Sequence, residues 1–387
     1  MNRPLRVALL TTESRDYFKD YGNPQPYFGT APQALLQGFA ETPEVEVEVV
    51  SCVRHSFESP VQLAPNIRYH ALHVPKLGWL STGYQGCIRA VRRKLRDLKP
   101  DIAHGQGTEK DCAISAVWSG CPNVLTIHGN MAELERHCGY PLLSYGWLAA
   151  RLENDTLPRS AGVFCNSAYT ERLVQPRARR VWRVANAVRR EFLDTPISMG
   201  SGTRPLIMNV GVISPRKRQV EILQMAQELQ RDGVDVEFQF IGQCGGHTAY
   251  ERTFLHRIAA AEKSGYARWL GTMGAAEIIE HFDRGSAVLH FPSEEAFGLV
   301  IVEALARNLK FFGSRLGGII DISRGVELAE LHDSNDWTGL RSSIQEWLAG
   351  GAPRPETAAT TMKQRYDPCV IALRHLEIYR EVLGNAL

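Results

Sequence analysis

The sequence lacks the marks of several protein classes at once. Its eight cysteines (52, 87, 112, 121, 138, 165, 244 and 369) include no C-x-x-C pair. That argues against a zinc ribbon or a disulfide framework and fits buried thiols in a reducing cytoplasm. No run approaches the roughly eighteen consecutive apolar residues of a membrane span. The first residues, "MNRPLRVALLTTESRD", hold too short an apolar core for a secretory signal. Formal net charge is only +2, which gives no basis for bulk nucleic-acid binding. There is no repeat and no low-complexity tract. No G-x-G-x-x-G follows the first strand-like run, which argues against a dinucleotide-dependent dehydrogenase.

What is present suits two domains. The chain has 387 residues, 44% of them hydrophobic and 22% charged, enough for a core in each half. In the first half, "RVALL" (6–10) reads as a buried parallel strand and "VEVEVVS" (45–51) as a strand with one wet face. Between them, "GTAPQALLQGFAE" (29–41) reads as a loop and helix. "DIAHGQG" (101–107), "NVLTIHGN" (123–130) and "GVFCNSAYT" (162–170) are strand-like runs ending in small or polar residues, separated by helices at 83–99, 109–119 and 143–158. Alternating strand and helix predicts a parallel sheet wrapped by helices, with its ligand crevice beyond the carboxyl ends of the strands. The first domain is therefore expected over 1–193, and "DTPISMGSGTRP" (194–205) reads as a linker that allows cleft closure.

The pattern then restarts as a second doubly wound domain over 205–368. Its strands fall at "PLIMNVGV" (205–212), "VEFQFIGQ" (236–243), "ARWLGTM" (267–273), "AVLHFPS" (287–293) and "KFFGSRLGG" (310–318). Helices lie between them, and a closing helix spans 369–383. The fold class expected is α/β, two Rossmann-like domains facing a cleft.

"FPSEEAFGLVIVEALA" (291–306) carries the chemistry. A strand ends near Ser293 and a helix begins near Phe297–Gly298, so the unpaired amides at Phe297, Gly298 and Leu299 form an anion site at the positive end of the helix. Glu303 lies a little over one turn inside, on the face of Leu299. A carboxylate in an apolar helix needs hydrogen-bond donors, and two ribose hydroxyls satisfy it. Glu295 precedes the helix and can accept hydroxyls of an attached sugar. The competing reading is an ordinary helix start, capped by Ser293, with a Glu303 that reaches solvent. "NVGVISPRKRQ" (209–219) adds Gly211 at a strand end and then Arg216, Lys217 and Arg218. Those cations can neutralise a leaving diphosphate without a metal.

Together these motifs resemble the nucleotide-sugar-dependent retaining glycosyltransferases of family 4, with the GT-B fold. "VGVISPRK", "FIGQ", "WLGTM", "FPSEEAFGLVIVEALA" and "LGGIID" stand in the family's order, and the first domain adds the Gly29 loop, "PDIAHGQG", "VLTIHG", "FCNSAYT" and "VANAV". The resemblance implies that Glu303 binds the ribose, Glu295 the donor sugar and Lys217 the diphosphate. His128 would meet the donor sugar across the cleft, and Gly211, Arg216, Thr272 and Gly29 would line the donor site. The closing helix would cross back to the first domain. It also implies a nucleoside-diphosphate sugar as donor substrate, no cofactor and no metal, with a glycan, lipid-linked or small-molecule hydroxyl as acceptor. Two departures stand out. Val212 occupies a position where the family usually has Arg, so that phosphate charge is missing unless Arg216 or Arg218 substitutes, and Asp321 stands where Glu is more usual. The rival expectations are a GT-B sugar-nucleotide epimerase and a catalytically silent sugar-nucleotide-binding protein.

Two weaker signals remain. His104, His128 and Asn166 sit at strand ends but lack short metal-ligand spacing. "CIRAVRRKLRDLK" (87–99) is a basic amphipathic helix that could dock on anionic lipid at the cytoplasmic membrane face, or simply be a solvated outer helix.

Overall fold

The structure is a computed structural model that describes residues 3–198, 200 and 204–384. The chain divides into two units, Met1–Arg189 with Tyr366–Leu387, and Arg190–Arg365.

In the first unit the strands are β1 (Leu5–Leu10), β2 (Val45–Val53), β3 (Gln62–Ala64), β4 (Ile67–His73), β5 (Ile102–Gln106), β6 (Asn123–Ile127), β7 (Val163–Cys165) and β8 (Val181–Arg183). They form one sheet in the order β3-β4-β2-β1-β5-β6-β7-β8, parallel except for β3. The chain builds outward from β1 through β2 and returns to its other side at β5, which is the topological switch of an open α/β sheet. The second unit repeats the plan. Its strands β9 (Leu206–Val210), β10 (Glu237–Ile241), β11 (Ala267–Trp269), β12 (Ala287–His290), β13 (Lys310–Ser314) and β14 (Ala329–His332) lie in the order β11-β10-β9-β12-β13-β14. Here the switch falls between β9 and β12. The two parallel sheets expected from the alternation are both present.

Strand β2 differs from its expected wet face. Glu48 is only 1% exposed, and its carboxylate accepts from Arg68 Nη2 at 2.5 Å and from His70 Nε2 at 2.7 Å on the neighbouring β4. Apolar–acidic alternation imitated a half-exposed strand; the neighbouring strand supplies the hydrogen-bond donors, one of them the Arg68 cation, that let an acid stay inside.

The domain boundary also moves. Residues 190–198 were expected to close the first domain and open the linker, yet they belong to the second unit. Fully buried Arg307 fixes them there. It donates to both Asp283 oxygens at 2.8 and 2.7 Å, to Pro196 O at 2.9 Å and to Thr195 O. The rest of the expected linker includes 199 and 201–203, which lie outside the described residues. At the other end, Tyr366 and the helix Pro368–Gly384 join the first unit. That helix packs on the helix Thr30–Ala40 so closely that a Cβ on Gly38 would sit 2.0 Å from Pro368 O.

The basic helix spans Gln85–Leu98, with Cys87, Ile88, Val91 and Leu95 buried. Its apolar face is thus used by the core, and Arg89, Arg92, Arg93 and Arg96 are what it shows outward. Among the described residues no helix is long and apolar enough to cross a membrane.

Candidate donor site

The second switch point opens by a definite device. Strands β9 and β12 pair only at Ile207–Ala287 and Met208–Val288. Beyond that the Asn209 side-chain amide donates to Leu289 O at 2.8 Å, holding the strands as they part. The loop after β9 carries Arg216 and Lys217; the end of β12 and its loop carry His290, Glu294 and Glu295. Ser293 N donates to Arg216 O at 2.9 Å, which docks one loop on the other.

Three charged or titratable side chains converge on Glu295. Its Oε2 takes the Lys217 ammonium and lies 2.8 Å from His290 Nε2 and 3.9 Å from Arg216 Nη1. Lys217 Nζ is also 3.3 Å from His290 Nε2. Arg216 Nη1 donates to Glu294 O at 2.9 Å and to Glu294 Oε2 at 3.3 Å. Burial alone would raise the Glu295 pKa; the Lys217 charge, the His290 hydrogen bond and Arg216 outweigh it and hold the carboxyl well below its usual range. Burial, then the Lys217 charge, pulls His290 down to about 4, so it is neutral near pH 7. Burial lowers Lys217 too, against the opposing pull of Glu295. Each cation is therefore matched by a carboxylate, and an incoming anion would compete with Glu294 and Glu295 for Arg216 and Lys217.

The stretch 291–306 sits largely as expected. The helix is Leu299–Leu305, and Glu303 in its body is only 5% exposed. Ser293 does not cap it: the cap position is Gly298, at φ +104° and with no side-chain hydrogen bond. Phe297 is buried and Leu299 half-buried. Gly318 of the "LGG" turn supports this loop from behind. Its N–H donates to Glu295 O at 3.1 Å, and a Cβ there would meet Ala296 O at 2.5 Å.

Gly211 lies beside Lys217, 3.8 Å from its Cε to an ideal Cβ position. It also stacks on the next strand's turn: a Cβ on Gly242 would come within 2.0 Å of Gly211 O, and Gly242 N donates to Gly271 O at 2.7 Å. Thr272 is exposed in the loop after β11, and among the described residues no hydrogen bond or ion pair joins it to the Glu295 cluster. Of the two candidates to replace the missing Arg, Arg216 stays beside Glu295, whereas Arg218 turns away to Ser334 O. Val212 is 57% exposed.

The remaining expected residues lie in the first unit. Gly29 (φ +84°) is the cap of the helix Thr30–Ala40. His128, just past β6, is partly buried, with Nε2 2.9 Å from the Gln106 side-chain amide. Burial lowers its pKa. His104 is fully buried and does not join a metal cluster with His128 and Asn166. Among the described residues, the group with metal-type ligands is Cys52, Cys87 and Asp111, all buried, with ligand atoms within 4.8 Å of one another. Spacing along the chain gave no hint of it.

His290, Gly318 and Gln106 were not anticipated. For His290 the available signal was a histidine ending the strand "AVLH" immediately before the loop that carries both glutamates.

Both halves of the chain match known family models. Residues 197–365 match the family model described as "Glycosyl transferases group 1", and residues 33–192 match "Glycosyltransferase Family 4". Two curated relatives, both described as serotype-specific mannosyltransferase WbdA from Escherichia coli, are 26% identical over 149 residues; the match covers 38% of this chain and only 17% of theirs. Among solved structures, a sucrose-phosphate synthase from Thermosynechococcus elongatus superposes with a TM-score of 0.76 at 15% identity, over 98% of this chain and 100% of that one. HepE from Anabaena, solved with UDP-glucose, gives 0.71 at 16% identity, over 97% and 100%.

Proposed function

The chain belongs with the GT-B glycosyltransferases whose family models match both of its halves, and we propose that it is a retaining glycosyltransferase. In this reading it moves a hexose-like sugar from a nucleoside-diphosphate donor to a hydroxyl of a glycan, lipid-linked or small-molecule acceptor. The observation that carries the reading is the Lys217–Glu295–His290 cluster at the second switch point, with Arg216 3.9 Å from the same carboxylate. The complex of the HepE neighbour with UDP-glucose supports the donor class.

The residues then take distinct tasks. Glu303 accepts ribose hydroxyls, and Glu295 accepts hydroxyls of the transferred sugar. Lys217 and Arg216 hold the diphosphate and stabilise the charge it gains as the C1–O bond breaks, which supplies without a metal what a divalent cation does elsewhere. The acceptor oxygen forms the new bond to C1 and gives its proton to the departing diphosphate, through an oxocarbenium-like state. No side chain is assigned as a nucleophile.

The test is turnover. The protein is incubated with UDP-, GDP- and ADP-sugars and a panel of hydroxyl acceptors, and both nucleoside diphosphate and glycosylated product are measured. Acceptor-dependent release with one donor, product of retained anomeric configuration, and loss of release in Lys217→Ala support the proposal. Donor isomerisation without acceptor would identify an epimerase, and tight donor binding with no product would identify a silent binder.

A further inference from the structure

His128 is the outer end of a buried polar chain inside the first unit. Its Nε2 lies 2.9 Å from Gln106 Oε1, and Gln106 Nε2 lies 3.2 Å from His104 Nε2 and 3.5 Å from Thr126 Oγ1. His104 Nε2 is 2.7 Å from Thr126 Oγ1, and its Nδ1 is 2.5 Å from Tyr379 Oη on the closing helix. His104 and Tyr379 are fully buried; Gln106 and Thr126 are each 5% exposed.

Counting protons orients the chain. Among the described residues Tyr379 Oη has one partner, His104 Nδ1. A buried phenol must place its proton somewhere, and an orphaned donor costs about 1–3 kcal/mol. Tyr379 therefore donates to His104 Nδ1. Burial keeps His104 neutral, so its own proton is on Nε2, directed at Thr126 Oγ1. An amide nitrogen of Gln106 facing that N–H would set donor against donor, and among the described residues it would keep only the long 3.5 Å contact to Thr126 Oγ1 as an acceptor. The two ends of a side-chain amide have nearly the same shape, and the hydrogen-bond network decides between them. With its oxygen toward His104 and its nitrogen toward His128, every member of the chain is satisfied. His128 Nε2 is then an acceptor, and the ring proton sits on Nδ1.

We propose that Tyr379, acting through His104 and Gln106, fixes the tautomer of His128, so that this residue presents a neutral Nδ1–H donor. Tyr379, His104 and Gln106 are positioning residues, none of which needs to touch substrate. If the glycosyltransferase reading holds, His128 would offer a substrate oxygen a hydrogen bond, and it would neither accept a hydroxyl proton through Nδ1 nor carry charge. This consequence rests on that reading; the tautomer itself does not.

The experiment is long-range ¹H–¹⁵N correlation spectroscopy of the histidine rings in the free, full-length protein, with His128 assigned from the His128→Gln spectrum. The expected result is an Nδ1–H ring for His128. In Gln106→Glu, whose carboxylate can only accept, the expected result is a switch to Nε2–H. Tyr379→Phe, which removes the anchoring proton, should give a mixture of the two. An Nε2–H ring in the wild type, or an Nδ1–H ring that persists unchanged in both variants, overturns the proposal. Because no substrate is present, a protein inactive toward every donor would still give a decisive spectrum.

Discussion

His290 Nε2 stands 2.8 Å from the same Glu295 oxygen that receives Lys217. A neutral histidine is thereby wedged between an ammonium and a carboxylate, and its titration is tied to stability. The folded-state pKa is about 4, against an ordinary 6.5. Below pH 6.5 the unfolded chain binds this proton and the folded chain resists it. The contribution is thus fully present above pH 6.5 and is lost as pH falls toward 4. It amounts to roughly 3 kcal/mol. Urea midpoints measured from pH 7 to 4.5 should fall, and the slope should be shallower in His290→Asn. His375, also held near 4 by burial, adds a parallel loss in the first unit, so the His290→Asn slope should be reduced rather than abolished.

Removing one partner of a buried ion pair differs from removing both. Lys217→Met strands the Glu295 carboxylate with only His290 and Arg216 nearby, and should cost about 3–5 kcal/mol of stability. Lys217→Met combined with Glu295→Gln should recover most of that loss while leaving donor affinity low. Urea unfolding beside calorimetric titration separates the two effects.

The contact of Gly242 with Gly211 O leaves no space for a methyl group, since both sides are backbone. Gly242→Ala should displace the turn next to Lys217. The expected outcome is a loss of about 1–3 kcal/mol with donor KM raised more than kcat is lowered, checked by unfolding and steady-state kinetics.

Arg307 clamps the segment that opens the second unit. Arg307→Met leaves the buried Asp283 carboxylate without its ion-pair partner, with the Ser198 N–H still donating to it, and should cost about 3–5 kcal/mol. Limited proteolysis should then cut between residues 190 and 204 faster than in the wild type.

How far the sequence could be read depends on which interactions are local. The alternation of strand and helix depends on periodicity and gave both sheets. The placing of Glu295 and Glu303 around a helix start, and of Lys217 in a loop after a strand, is likewise local and was legible. What was missed is held together across the chain. Glu48 looked solvent-facing because its partners, Arg68 and His70, are some twenty residues on. The boundary near residue 189 depends on Arg307, more than a hundred residues away. His290 looked like the end of an apolar strand, and only the return of the β9 loop reveals it as a ligand of Glu295. Gln106 carries no signal at all until the closing helix brings Tyr379 to His104.

The most direct test of a donor site in the second domain is calorimetric titration of the free protein with UDP-, GDP- and ADP-sugars, repeated on Glu303→Gln. This variant keeps the side-chain shape and removes the charge that would bind the ribose. Saturable binding of one nucleotide class, weakened roughly tenfold or more in Glu303→Gln (about 1.4 kcal/mol), is the predicted result. Binding of equal strength in both proteins, or none at millimolar concentration of any donor, would contradict the account.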